Sequence, residues 1–165
     1  MSQDTHTSSI ATAIRQGRPF GGVEHEVFLA IQRAAADLTQ ESAALLRPHG
    51  LSGAQYNILR ILRGAGTDGL ACGEIADRLV TRDPDMTRLL DRMERQGLVT
   101  RQRASHDRRV VTTKISTEGK HLLSQLDEPM AALHRRQFAH IDPARLRELA
   151  TLLDEVVATP QPPAS

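Results

Sequence analysis

Between Leu51 and Ser116 the spacing of apolar residues changes once from helical to alternating, and few folds accommodate that change in so short a stretch. Ser52 followed by Gln55 has the pattern of a capping box, and it predicts a helix through Tyr56, Leu59 and Leu62 that stops at Gly64. A short helix from about Cys72 to Leu79 is expected next, with Ile75 and Leu79 facing inward. The third is expected to open at Asp83-Pro84, a carboxylate cap ahead of a proline whose missing N–H costs nothing there. It carries a buried stripe of Met86, Leu89, Leu90 and Met93 and ends where Gly97 allows a left-handed turn. The period then shortens to two. Leu98–Arg103 and Val110–Ile115 read as a hairpin with Val111, Thr113 and Ile115 on one face, joined by the charged turn Ser105-His106-Asp107-Arg108-Arg109.

Helical spacing flanks this stretch on both sides. Val27, Ile31, Ala34, Leu38 and Leu45 share one face of a helix from about Glu24 to Leu46, ended by Pro48 and Gly50. After Ser116 a helix runs through Leu122, Leu126, Met130 and Leu133, with Pro129 expected to kink it. A last helix opens at Asp142-Pro143 and is expected to bury Leu146, Leu149, Leu153 and Val156. The fold class is therefore mainly α with a small two-stranded β wing: a winged helix-turn-helix over residues 51–116, beside a helical region formed by 23–48 and 117–158. Residues 1–22 are polar and carry Gly17, Pro19, Gly21 and Gly22, so they read as a flexible arm. The proline-rich 159–165 read as a disordered tail.

Composition narrows the function. Aromatic residues make up 2% of the chain, a poor supply for a cofactor cage or an RNA-stacking platform. A single cysteine excludes an internal disulfide framework, and the 7 histidines show no tight ligand spacing, so neither a metal nor another cofactor is expected. The opening MSQDTHTSSI has neither an apolar core nor a basic leader, and no apolar run approaches membrane-spanning length; a cytoplasmic protein is expected. A net charge of +1 says little, but its distribution says more: Arg101, Arg103, Arg108 and Arg109 face one acid, Asp107, between Val99 and Arg109. Such clustering suits phosphate neutralisation, although a solvated arginine-rich hairpin would look the same.

The major groove of B-DNA admits one helix, held by its neighbours and presented N-terminus first. The third helix follows the turn Val80–Arg82 and offers Pro84, Thr87, Arg88, Asp91 and Arg95 opposite its apolar stripe. Arg88 is the candidate for a base edge or nearby phosphate, since a guanidinium fork on guanine supplies about 1–3 kcal/mol of discrimination. The plainer reading pairs it with Asp85 or Asp91 as an ordinary surface arginine. Asp85 suits the helix dipole and could also accept from a cytosine amino group. Arg108 and Arg109 at the hairpin tip could enter a minor groove, with Asp107 orienting an arginine.

At these residues the chain resembles the MarR family of transcription regulators. The resemblance is carried by Glu94 to Val99, Asp107-Arg108-Arg109, Ile115-Ser116 and Glu118-Gly119, and LSGAQYNILRIL is similar to the family's second helix. It implies a homodimer built from the first and last two helices, a pseudo-palindromic operator on double-stranded DNA and a small-molecule effector pocket; the leading reading is a ligand-responsive repressor, not an enzyme. Carried over by position, the DNA contacts would be Pro84, Asp85, Thr87, Arg88, Arg108 and Arg109, braced by Asp107. Two features depart from the family: Ala71 stands where many members cap the next helix with Ser or Thr, and no reactive cysteine opens the first helix. Cys72 begins a helix, which suits a redox-sensing thiol, but a buried filler is the simpler role. A winged helix used for protein–protein assembly, or an enzyme pairing Cys72 with a histidine, are the alternatives; the latter lacks any nucleophile motif.

Overall fold

The starts of α3, α4, α6 and α7 are each marked by a side chain that accepts from an orphan amide. The computed structural model describes residues 9–81, 85–103 and 111–158. Along them run α1 (Ser9–Ala13), α2 (Val23–Leu46), a 3-10 turn (Arg47–His49), α3 (Gly53–Gly64), β1 (Leu70–Ala71), α4 (Cys72–Arg78), α5 (Met86–Arg95), β2 (Val99–Arg103), β3 (Val111–Ile115), α6 (Thr117–Gln137) and α7 (Pro143–Val157). Backbone contacts divide the chain into two units, Met1–Ser124 and Gln125–Ser165, with the boundary inside α6.

The capping box at α3 is complete: Gln55 N donates to Ser52 Oγ at 3.2 Å, and Ser52 N donates to Gln55 Oε1 at 2.9 Å. Gln55 is also buried and donates from Nε2 to Gln96 Oε1 at 3.0 Å, joining the start of α3 to the end of α5. At α4, Glu74 Oε2 accepts from Ala71 N at 2.8 Å, but alanine has no oxygen to complete the exchange. Asp142 Oδ1 accepts from Ala144 N at 2.7 Å, with Pro143 in the first turn of α7. The start expected for α5 is corrected. Its described turns begin at Met86, Asp85 occupies the cap position without a side-chain cap bond, and Asp83 and Pro84 lie outside the described residues.

In the first unit, Ile58, Leu59 and Leu62 of α3, Ile75 of α4 and Met86, Leu89, Leu90 and Met93 of α5 are all buried. Burying such side chains drives the packing at roughly 1.5–3 kcal/mol each before entropy is counted. Gly97, at φ 72°, stops α5. Its N–H bonds Glu94 O at 2.9 Å and Leu98 N bonds Met93 O at 3.0 Å, the paired bonds of a Schellman end. The hairpin pairs Val99 with Ile115 through Arg103 with Val111, and Thr113 and Ile115 are buried. The two-stranded wing is extended by a third strand. Leu70 and Ala71 pair with Thr113 and Thr112 on the other side of β3, giving the order β1-β3-β2. A two-residue strand is too short to show alternation in sequence.

The junction from sheet to α6 is tight. Ser116 Oγ donates to Gly97 O at 2.6 Å and accepts from Gly119 N at 2.9 Å, while Ser116 N bonds Leu98 O at 3.1 Å. A Cβ at Gly119 would lie 2.3 Å from Leu98 O, so glycine is required there by space and not by backbone angle. Along α6 the buried row is Leu123, Leu126, Met130 and Leu133; Leu122, expected in that row, is only half-buried. Pro129 sits within the helix and is exposed.

In the second unit α7 forms where expected, but its stripe is not buried. Leu146 is half-buried, Leu149 and Leu153 are exposed, and Val156 is 64% exposed. Periodicity records that a helix has an apolar face; it does not record whose surface covers that face. In the first unit α2 behaves alike, with Val27 45% exposed and Phe28 exposed beside it. Within 1–22, Ser9–Ala13 is helical and Ile10 is buried.

Gly119→Ala is expected to cost about 1–3 kcal/mol, because backbone and not a flexible side chain opposes the new methyl. A lower urea midpoint at unchanged slope would register it; an unaltered midpoint would contradict the tight junction.

Candidate nucleic-acid interface

Once the apolar stripe of α5 is turned inward, its other face is fixed by helix geometry. Arg88, Arg92 and Arg95 follow at spacings of four and three and share one side. Thr87, Arg88, Arg92 and Arg95 are all exposed, and Asp85, Arg88, Asp91, Arg92 and Arg95 line a shallow cleft of about 300 Å³. Arg92 was not among the residues the sequence singles out, although a step of four from Arg88 points to it.

Arg88 is 83% exposed, with Nε 3.4 Å from Asp85 Oδ2. A surface pair this open contributes about 0–1 kcal/mol, so it leaves the guanidinium able to exchange Asp85 for another anion. Of the candidate contacts, Asp85, Thr87 and Arg88 therefore sit together at the start of α5. Pro84, Asp107, Arg108 and Arg109 lie outside the described residues.

Asp91, awkward on a basic face, has a structural partner. Arg101 on β2 donates through a terminal guanidinium nitrogen to Asp91 Oδ1, and its backbone N–H donates to Glu94 Oε1 at 3.2 Å. Two residues one turn apart on α5 thus hold the first strand of the wing. The Arg101 side chain is 22% exposed, and its Nε is buried with no hydrogen-bond partner among the described residues. Its charge is answered within the fold, which lowers the excess counted for Val99–Arg109.

Similarity to known proteins assigns the family. A family model described as MarR family matches residues 49–110. A MarR transcription factor from Planctomyces limnophilus is 37% identical, over 82% of this chain and 98% of that one, with a TM-score of 0.64. The chain belongs to the MarR family. The homoprotocatechuate degradative operon repressor of Escherichia coli is 29% identical over 114 residues, 69% of this chain and 76% of the repressor. The MepR–DNA complex of S. aureus shares the fold at a TM-score of 0.72 and 19% identity, over 78% of this chain and 94% of MepR.

The stretch matched by the MarR family model contains α3, α4, α5 and β2, the elements that place the arginine face and the Asp91–Arg101 strut. Cys72, at the first position of α4, is half-buried. No helix among the described residues is long and apolar enough to cross a membrane.

Asp91→Ala is expected to loosen β2 from α5. Arg101 is 22% exposed and would lose its carboxylate partner, so the stability loss should be about 1–3 kcal/mol. Amide hydrogen exchange across Thr100–Arg103 should accelerate. Exchange at the wild-type rate would mean that the strut does not hold the wing.

Proposed function

We propose that this MarR-family protein is a DNA-binding repressor that acts as a homodimer on a pseudo-palindromic operator and releases it on binding a small molecule. The exposed arginine face of α5, opposite four buried apolar residues, is the observation that carries the reading. Thr87 and Arg88, with Pro84 and Asp85, would meet the major groove. Arg108 and Arg109, braced by Asp107, would meet the minor groove beside it. The name of the E. coli relative, a repressor of a degradative operon, supports repression over activation. Such a repressor works on cytoplasmic DNA.

Homodimerisation is supported by the apolar faces left open on α2 and α7, where Phe28, Leu152 and Val156 are exposed. A two-fold pair of such faces is self-complementary and sets two α5 helices at a fixed spacing, which a palindromic operator mirrors. In this scheme 23–48 and 117–158 form the dimerisation region and 51–116 the DNA-binding domain. The effector is a small molecule whose binding favours the dimer geometry that does not fit the operator.

Electrophoretic mobility shift with the gene's own upstream DNA tests the scheme. Arg88→Ala should abolish the preference for operator over scrambled duplex. Arg109→Ala should weaken binding to both about equally and flatten its salt dependence. Both variants binding like wild type would sink the assignment. Separately, Leu153→Glu with Val156→Glu should convert a dimer to monomers in sedimentation velocity and cost operator affinity at least tenfold; an unchanged dimer would place the interface elsewhere.

A further inference from the structure

A second basic cleft shares no lining residue with the cleft on α5. It has a volume of about 480 Å³ and is lined by α3 and by the end of α4, including Asn57, Arg60, Ile61, Arg63, Arg78 and Val80. None of the described residues lining it is acidic. We propose that this cleft is a further DNA contact that grips the sugar–phosphate backbone outside the segment read by α5. The proposal rests on the DNA-binding reading above.

The placement of charge favours that occupant. The chain as a whole is nearly neutral, yet Arg60, Arg63 and Arg78 converge here. Arg63 and Arg78 stand in the last turns of their helices, where the exposed carbonyls favour a cation in any case. Arg60 lies a turn earlier in α3, outside the last turn, and its guanidinium stands 5.9 Å from the Tyr56 ring centre, a cation–π contact that orients the group without using its N–H donors. Arg63 already engages another group of the chain, and the grip is assigned to Arg60 and Arg78.

The rim also has the right mixture of chemistry. Val80, 90% exposed, stands in the turn leading to α5 and offers an apolar surface to a deoxyribose, while Asn57 adds a side-chain donor. Arg60 and Arg78 are exposed. A drug-sized ligand needs most of its surface enclosed, whereas a phosphodiester needs only charge and donors along an open edge.

Fluorescence anisotropy with a labelled duplex from the gene's upstream region, repeated over a potassium chloride series, tests the contact. Each phosphate neutralised contributes about 0.9 to the slope of log affinity against log salt. Arg60→Gln with Arg78→Gln should therefore make the slope shallower by about 2, with the preference for operator over scrambled DNA retained. Arg60→Lys with Arg78→Lys should keep the wild-type slope. Arg33→Gln, which removes a cation paired with Asp37 on α2, should also leave it unchanged. Circular dichroism melts establish folding; if the double glutamine variant does not fold, Arg78→Gln alone should lower the slope by about 1.

An unchanged slope in the glutamine variant, with wild type still strongly salt-dependent, overturns the cleft contact and leaves the DNA-binding reading intact. An equal loss in Arg33→Gln overturns it as a general charge effect. Calorimetric binding of inorganic phosphate that the glutamine pair abolishes, without a change in DNA slope, would assign the cleft to a small anion instead. Wild-type protein with no salt-dependent binding to any duplex would overturn both the DNA-binding reading and this contact.

Discussion

The face of α5 that carries Met86, Leu89, Leu90 and Met93 can only point into the first unit's core, and most of the remaining arrangement follows from that. With those four side chains inside, a 3.6-residue period forces Arg88, Arg92 and Arg95 outward. Gln55, itself part of a helix cap, reaches the end of the same helix through Gln96. Gly97 then reverses the chain so that β2 returns alongside α5, where Asp91 and Glu94 hold it. Apolar burial supplies the driving force; the polar contacts choose one orientation among those that burial alone would permit.

The same helix shows how a basic surface can tolerate acids. Asp85 and Asp91 sit within one stretch of arginines, yet they do different things. Asp85 keeps a loose hold on Arg88, which solvent and competing anions can break. Asp91 holds Arg101, whose side chain is mostly out of water, so that exchange is harder. One carboxylate holds an exposed guanidinium loosely at the start of α5, and the other fastens the wing to its middle. Charge counting along the chain cannot separate the two.

Local signals were the most legible in the sequence. The Ser52–Gln55 box, the Gly97 stop, the Asp142-Pro143 start and the four-residue stripe of α5 each depend on neighbours within a few positions, and each stands where the pattern put it. What was not legible depends on distant partners. Strand β1 exists because β3 has a free edge, not because Leu70-Ala71 alternates. The role of Asp91 needed a residue ten positions on and in another element. The stripe of α7 was readable, but its burial was not, since that depends on a surface the period does not encode. The hairpin tip and Pro84, read as DNA contacts from pattern and resemblance, fall outside the described residues.

The junction at Gly119 has a mechanical consequence. Close-packed interiors transmit displacement, and they do so most directly where backbone meets backbone. At Gly119 the α6 backbone approaches the Leu98 carbonyl directly, between the side chains of Ile115 and Leu59, and Ser116 pins Gly97. A shift of the first turn of α6 must move the root of the wing by a similar amount, and tilting the wing must move α6. The contact couples the two elements directly, and it sits where α5 ends and β2 begins.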